Sequence, residues 1–326
     1  MTLPDPSLNS SPETSHAVSP VDEHRHPPDA DDLWNESYYF DFVHEDGTVG
    51  GWIRLGLYPN RQVAWWTTWI VGTDRSGVCS VRYDTPVPGS DGLVAEDSDI
   101  RIELDVIDPL KVFRVAASAP AEVFADPAAV YAGTSGSPVR LDFDLTWSTD
   151  GSPYHYLLTT RYEIPCLVAG TVRIDNEILT IRGQGQRDHS WGVRDWWAFG
   201  WCWSSARLND GTRVHIADIR MPGFPVAFGY VQSPGVSGDG GSCDTVTVLS
   251  VTEDLGAHGF PTSARIELGC GDQAGALVID VTPIAYGPVL FRNDDGRTTR
   301  FPRALVRYVV EDGRQGYGWI EWNQPD

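Results

Sequence analysis

Residues 183–197, GQGQRDHSWGVRDWW, bring two aspartates, one histidine, two arginines and three tryptophans into fifteen positions. Those residue types suit proton transfer beside a developing charge: a carboxyl and an imidazole exchange protons, and indole faces stabilise a cation. Among tryptophans, Asp188 would have its pKa raised by lost solvation, giving an acid near neutral pH. An adjacent Arg187 or Arg194 would pull it down again and keep it ionised. From the residues alone, the segment is either a functional acid with its substrate contacts or a structural ion pair closing a β corner.

Strand geometry divides these candidates. Alternate side chains point to opposite faces, so Arg187, His189 and Trp191 share one side and Asp188, Ser190 and Gly192 the other. Asp188 and His189 reach one cavity only if the strand bulges or ends, and Gly192 offers an ending. Downstream, Trp201 and Trp203 share a face and are candidates for an aromatic wall, with plain core as the alternative. Asp195 joins Arg187 and Trp191 as a candidate substrate contact. Upstream, Glu36 and Tyr38 share a face, a carboxylate and a phenol suited to proton relay, unless Glu36 is only an edge charge. Glu163 and Glu321 are weaker candidates of that kind, and His155 and His215 read as core or edge histidines.

The elements that position these residues read as β throughout. Short runs rich in Val, Ile, Thr, Tyr and Trp are broken at hairpin intervals by turn residues, as at Glu45-Asp46-Gly47, Asp175-Asn176-Glu177 and Asn209-Asp210-Gly211. Apolar and polar residues alternate in RIELDVIDPLKVFRVAAS and VRLDFDLTWST, so one face of each strand is buried. Only residues 125–133, ADPAAVYAG, suggest a short helical turn. The expected fold is all-β, with two antiparallel barrels or sandwiches side by side: residues 32–160 in the N-terminal one, 161–326 in the C-terminal one. Residues 1–31, rich in Pro, Ser and acid, are expected to form a disordered tail with His24 and His26 solvated. Residues 233–244, rich in Gly and Ser, are expected to be a flexible loop.

Composition excludes several function classes. The 326 residues carry 45 acidic against 24 basic side chains, a net charge of −21 that repels phosphate backbones and anionic lipid. No nucleic-acid partner is therefore expected. No run approaches the length of a membrane span, and the N-terminus lacks the apolar stretch of a signal peptide. Five scattered cysteines form no zinc spacing or disulfide framework, which suits a reducing, cytoplasmic setting. No P-loop, GxSxG or HExxH occurs, no HxH occurs in the part expected to fold, and Gly183-Gln184-Gly185 lacks the third glycine and the βαβ setting of a dinucleotide fingerprint. Neither a cofactor nor a metal is expected; the partner is a small apolar substrate, and the chain is a monomer or a homodimer.

Three motifs together resemble the carotenoid 1,2-hydratase (hydroxyneurosporene synthase) superfamily: Asp188-His189-Ser190-Trp191-Gly192, Gly200-Trp201-Cys202-Trp203 and the Asn209-Asp210-Gly211 hairpin. The likeness is closest to an actinobacterial-type branch that opens with WNESYYFDF and closes with GYGWIEWNQP, and so spans residues 34–326. The resemblance implies two lipocalin-like barrels in tandem. It also implies chemistry at isoprenoid double bonds without a cofactor, or pericyclic cyclisation, with Asp188 as the acid. At residue 190 the carotenoid hydratases carry an acidic side chain where this sequence has serine. The expected activity is a hydro-lyase that interconverts a small isoprenoid or related tertiary alkenol and its alkene. In it Asp188 is paired with His189 or Glu36, Tyr38 relays, and Trp191, Trp201 and Trp203 form the wall. The alternatives are a lipocalin-like carrier of an apolar metabolite and a cyclase or isomerase acting by shape.

Overall fold

A computed structural model describes residues 18–89, 92–234, 242–269 and 276–326. Its strands follow the alternation and the turn residues. The first group is β1 (Trp34–His44), β2 (Val49–Tyr58), β3 (Val63–Gly72), β4 (Gly77–Pro86), β5 (Val94–Glu96) and β6 (Arg101–Asp108). It continues through β7 (Val112–Phe124), β8 (Ser137–Thr149), β9 (Tyr154–His155), β10 (Arg161–Ile174) and β11 (Glu177–Val193). The second group is β12 (Gly200–Leu208), β13 (Arg213–Arg220), β14 (Val226–Gln232), β15 (Cys243–Leu255) and β16 (Pro261–Gly269). It ends with β17 (Ala276–Tyr286), β18 (Val289–Arg292), β19 (Thr298–Phe301), β20 (Arg303–Val310) and β21 (Gln315–Pro325). The helical turn expected at 125–133 is a 3-10 turn, Pro127–Ala132.

Every strand pairing is antiparallel. The first sheet runs β4-β3-β2-β1-β11-β10-β8-β7 and closes through β4–β7. The second runs from β12 through β17 to β20 and β21 and closes through β12–β21, with the β18–β19 hairpin attached to β21. Two lipocalin-like barrels therefore stand in tandem. The division between them differs from the expected one at residue 160. β10 and β11 belong to the first barrel, because β11 pairs with β1 from Trp34↔Val193 to His44↔Gly183. The chain passes to the second barrel only after Val193. β11 lies this close to β1 because residues 183 and 185 are glycine; a Cβ on either would run into the backbone carbonyl of Val43 or Asp41.

Burial divides into three clusters. One fills the first barrel with Tyr38, Phe40, Trp66, Phe113 and Trp147, and another fills the second with Ile216, Ile266, Tyr308 and Trp322. The third lies between the barrels and includes Tyr39, Trp52, Trp69, Trp203, Leu305 and Trp319. β1 serves two of them by alternation, sending Tyr38, Phe40 and Phe42 into the first barrel and Tyr39 and Val43 toward the second. Among the described residues no helix is long and apolar enough to cross a membrane.

The N-terminal expectation needs correction. Residues 1–17, and most of the loop expected at 233–244, lie outside the described residues. From Val18 onward, however, the segment expected to be disordered packs on the first barrel, and Glu23 is fully buried. Specific charge pairs fix it there, which average composition does not register.

Candidate functional site

β11 divides the candidate residues. Its register with β10 is unbroken from Arg161↔Ser190 to Ile174↔Glu177, so no bulge disturbs the alternation around Asp188. Arg187 and His189 enter the first barrel, while Gln186 and Asp188 face the second. Asp188 and His189 consequently serve different places.

On the barrel side the groups are closed off by residues 18–26. Arg187 Nη1 donates to Glu23 Oε1 at 2.8 Å and Oε2 at 3.1 Å, and the Tyr162 hydroxyl donates to Glu23 Oε1 at 2.6 Å. His189 lies with Nδ1 2.7 Å from the Asp22 carbonyl and Nε2 3.1 Å from Glu36 Oε1, its ring stacked on Tyr38. The same Glu36 oxygen accepts from the backbone N–H of His26 at 2.8 Å and lies 2.8 Å from His26 Nδ1. Burial pushes the Glu36 carboxyl up, but hydrogen bonds from His189 and His26 outweigh it and hold the group below its usual range. His26, expected in a solvated tail, is instead stacked on Trp191 with ring centres 3.6 Å apart.

These contacts overturn the pairing of Asp188 with His189 or Glu36. The Glu36–Tyr38 relay is also not formed: among the described residues the buried Tyr38 hydroxyl has no hydrogen-bond partner. Arg187, expected to compete for Asp188, is taken by Glu23 across the strand.

On the other side of β11 lies a cavity of about 630 Å³ between the barrels. Trp191, Phe199, Trp201, Trp203, Ile219, Met221 and Phe228 form its apolar walls, while Tyr156, Arg161, Ser190, Arg194 and Asp195 supply polar groups. Asp188 stands just behind this wall, 5% exposed, with Oδ2 accepting from Arg161 Nη2 at 2.8 Å. Burial pushes the Asp188 carboxyl up to about 6, against the pull of the Arg161 guanidinium.

Arg161 also donates through Nε to Glu163 Oε1 at 2.8 Å. Glu163 accepts further from Trp203 Nε1 and Gln186 Nε2, each at 3.0 Å, and its Oε1 also lies 3.0 Å from the Tyr156 oxygen, whose single proton serves either Glu163 or His215. The Tyr156 oxygen lies 2.7 Å from His215 Nε2, and His215 Nδ1 lies 3.0 Å from the Ser204 carbonyl. Burial holds His215 well below the usual histidine range, so it is neutral and donates through Nδ1. A continuous hydrogen-bonded chain thus runs from Asp188 through the fixed Arg161 cation to Glu163, Tyr156 and His215 in the second barrel.

The remaining candidates fall around this cavity. Trp201 lines it and donates to Glu321 Oε1 at 2.8 Å, so Glu321 is occupied by an indole and by Arg303. Asp195 lines it as well, but Oδ1 accepts from the Trp197 backbone N–H at 2.9 Å and shapes a turn. Arg161, Tyr156 and His215 were not among the expected site residues. Tyr156 and His215 are 59 positions apart, and nothing local in the sequence joins them. A second opening of about 660 Å³ is lined by Glu45, Arg182, Arg207 and Arg307; it holds no buried acid and is not taken as the site.

Residues 19–326 match the family model described as a domain of unknown function, DUF7064. The chain belongs to this family. No curated protein sequence matches it. Among solved structures, DUF7064 as seen here is similar to a Nitrosomonas europaea protein provisionally named AttH, with a TM-score of 0.60 at 14% identity over 96% of this chain and 98% of that one. It is similar to kievitone hydratase from Nectria haematococca, with a TM-score of 0.60 at 11% identity over 95% and 93% of the two chains. It is similar also to CghA, with a TM-score of 0.52 at 11% identity over 95% of each chain. At such identities the likeness establishes the tandem-barrel fold that DUF7064 shares with these proteins.

Proposed function

We propose that this protein is a hydro-lyase acting in the cavity between the barrels, interconverting an apolar alkenol and its alkene. A small isoprenoid tertiary alcohol is the first substrate class to try. One observation carries the reading: a buried chain of acid and base groups, Asp188 to His215, backs one side of a cavity otherwise walled by aromatic and aliphatic side chains. Kievitone hydratase, by its name a hydratase, shares the fold and supports the class of chemistry.

In the dehydration direction Asp188 gives its proton to the hydroxyl, the C–O bond breaks and water leaves. A neighbouring C–H bond then loses its proton, and its electron pair closes the double bond. That proton is taken by the Asp188 carboxylate, so the protein ends the cycle unchanged. The faces of Trp201 and Trp203 stabilise the cation between the two steps, while Trp191, stacked on His26, closes the edge of the cavity. Glu36, Tyr38 and His189 take no step in this scheme, and the scheme calls on no cofactor.

A second reading rests on Arg161 and Arg194, both in the cavity wall. Guanidinium groups stabilise a developing anion better than a cation. They suit a cyclase or isomerase whose carbonyl-bearing substrate passes through an enolate. A carrier would have no use for the buried ionisable chain, whose desolvation is costly. The test is incubation with a panel of terpene alcohols and conjugated carbonyl compounds in labelled water. Label in recovered alcohol, or alkene formation, supports the hydro-lyase; label or rearrangement only in carbonyl compounds supports the second reading. Tight binding without any turnover would overturn both in favour of a carrier.

A further inference from the structure

Across β11 from the cavity, three side chains from distant parts of the chain aim ligand atoms at one point: His26, Glu36 and His189, whose ligand atoms all lie within 4.8 Å of one another. The hydrogen-bond pattern around them is unusual. A carbonyl has no proton to give, so the 2.7 Å contact between His189 Nδ1 and the Asp22 carbonyl puts the ring proton on Nδ1. Nε2 then faces a Glu36 oxygen 3.1 Å away, and the gap between them is bridged either by a second ring proton or by a metal ion. A histidine that donates one ring nitrogen to a backbone carbonyl while aiming the other at a carboxylate is the common outer arrangement of a metal ligand.

The spacing agrees. Two imidazoles on one tetrahedral ion, with metal–nitrogen bonds of about 2.0–2.1 Å, place their ring centres about 5 Å apart. The His26 and His189 centres are 5.5 Å apart. The Glu36 oxygen is 2.8 Å from His26 Nδ1 and 3.1 Å from His189 Nε2, a few tenths of an ångström closer than ligands sit on such an ion, so seating it needs a small outward shift of the three groups. Glu36 and His189 are buried, while His26 keeps partial access to solvent. Nearby, Asp22 Oδ1 stands 4.0 Å from His26 Nε2 and Arg25 Nε 4.0 Å from the other Glu36 oxygen.

We propose that His26, Glu36 and His189 bind one divalent transition-metal ion of the zinc class, which tethers the segment around residues 18–26 across the mouth of the first barrel. Two imidazoles and a carboxylate suit Zn²⁺ better than Ca²⁺ or Mg²⁺, which prefer oxygen ligands. His26 stacks on Trp191, and Trp191 lines the cavity, so the tether also braces one wall of the proposed active site. The His24-Arg25-His26 spacing contributes only His26 to the site, and its other ligands come from residues 36 and 189.

The test uses the full chain, stripped of metal by chelation and titrated with Zn²⁺ against a chromophoric chelator, then with Co²⁺ monitored by visible absorption. The expected result is one equivalent of Zn²⁺ per chain and a Co²⁺ spectrum typical of nitrogen–oxygen coordination. His26→Ala and Glu36→Gln should each weaken binding by at least roughly 100-fold, at the upper end of what loss of an outer-shell partner causes. Glu36→Gln keeps the size and hydrogen-bonding shape of the residue, so it reports on the ion even if His26→Ala loosens the segment. Absence of stoichiometric binding would overturn the proposal and leave a protonated His189 paired with Glu36. Undiminished binding in both variants would overturn it by placing the metal elsewhere.

Discussion

Arg187 and His189 on one face of β11, and Asp188 and Ser190 on the other, are neighbours in sequence with different surroundings. On the barrel face the central pair is enclosed: the Arg187 side chain is 3% exposed, its partner Glu23 is fully buried, and the strap of residues 18–26 closes over both. On the cavity face the charges back an open space with aromatic walls, and Asp188 is held by Arg161 at its border. The difference teaches that a dense polar motif on a strand is two motifs of alternate parity. One half of GQGQRDHSWGVRDWW packs under the segment of residues 18–26, and the other half faces the cavity of the proposed active site.

The comparison can be broken most forcefully on the barrel face. Glu23→Ala leaves Arg187 buried without a counter-charge, and removal of one member of a buried pair costs about 3–5 kcal/mol. Urea denaturation should register a loss of that size; a change below about 1 kcal/mol would mean that Arg187 finds water or another partner.

The cavity face should be more forgiving, because Glu163 has several donors. Trp203→Phe removes one of them, the 3.0 Å bond from Nε1, and should cost about 1–3 kcal/mol in the same measurement. A loss as large as that of Glu23→Ala would show that the two faces are equally brittle.

A further difference is a matter of pH. Asp41 lies between the barrels, accepting from the Gln186 backbone N–H at 2.8 Å, and burial pushes its carboxyl up to about 8. A group whose pKa rises on folding stabilises the fold fully below its unfolded pKa, about 3.9, and loses that contribution as pH climbs through the folded value. Melting temperatures of the wild type should therefore fall between about pH 4 and pH 8, and Asp41→Asn should flatten part of that fall. An unchanged slope in the variant would assign the pH dependence to other groups.

Much of this architecture was legible in the sequence, for physical reasons that also explain what was not. Hairpins around Glu45-Asp46-Gly47 and Asn209-Asp210-Gly211 are local, written in turn residues and alternation, and the strands fall where those signals put them. Parity alone separated Asp188 from His189. The division between the barrels was misplaced because it depends on β11 pairing with β1, a contact such as Tyr38↔His189 that no local signal records. The strap was misread because Pro-rich acidic composition describes an average, whereas Glu23 and His26 are held by single contacts with Arg187 and Glu36. Tyr156 and His215 meet only when two barrels dock. The tryptophans were ambiguous for a related reason: Trp66 belongs to a barrel core, whereas Trp203 packs between the barrels and lines the cavity.

The central claim is that Asp188 does chemistry while the residues across the strand do not. Its most direct test is Asp188→Asn, assayed on whichever substrate the labelled-water panel identifies, alongside a thermal melt of the same preparation. Turnover should fall by about 10²–10⁴-fold, the usual contribution of a positioned general acid, with the melting transition nearly unchanged. Retained turnover, or a loss that appears only because the protein unfolds, would contradict the account and return Asp188 to the role of a structural partner for Arg161.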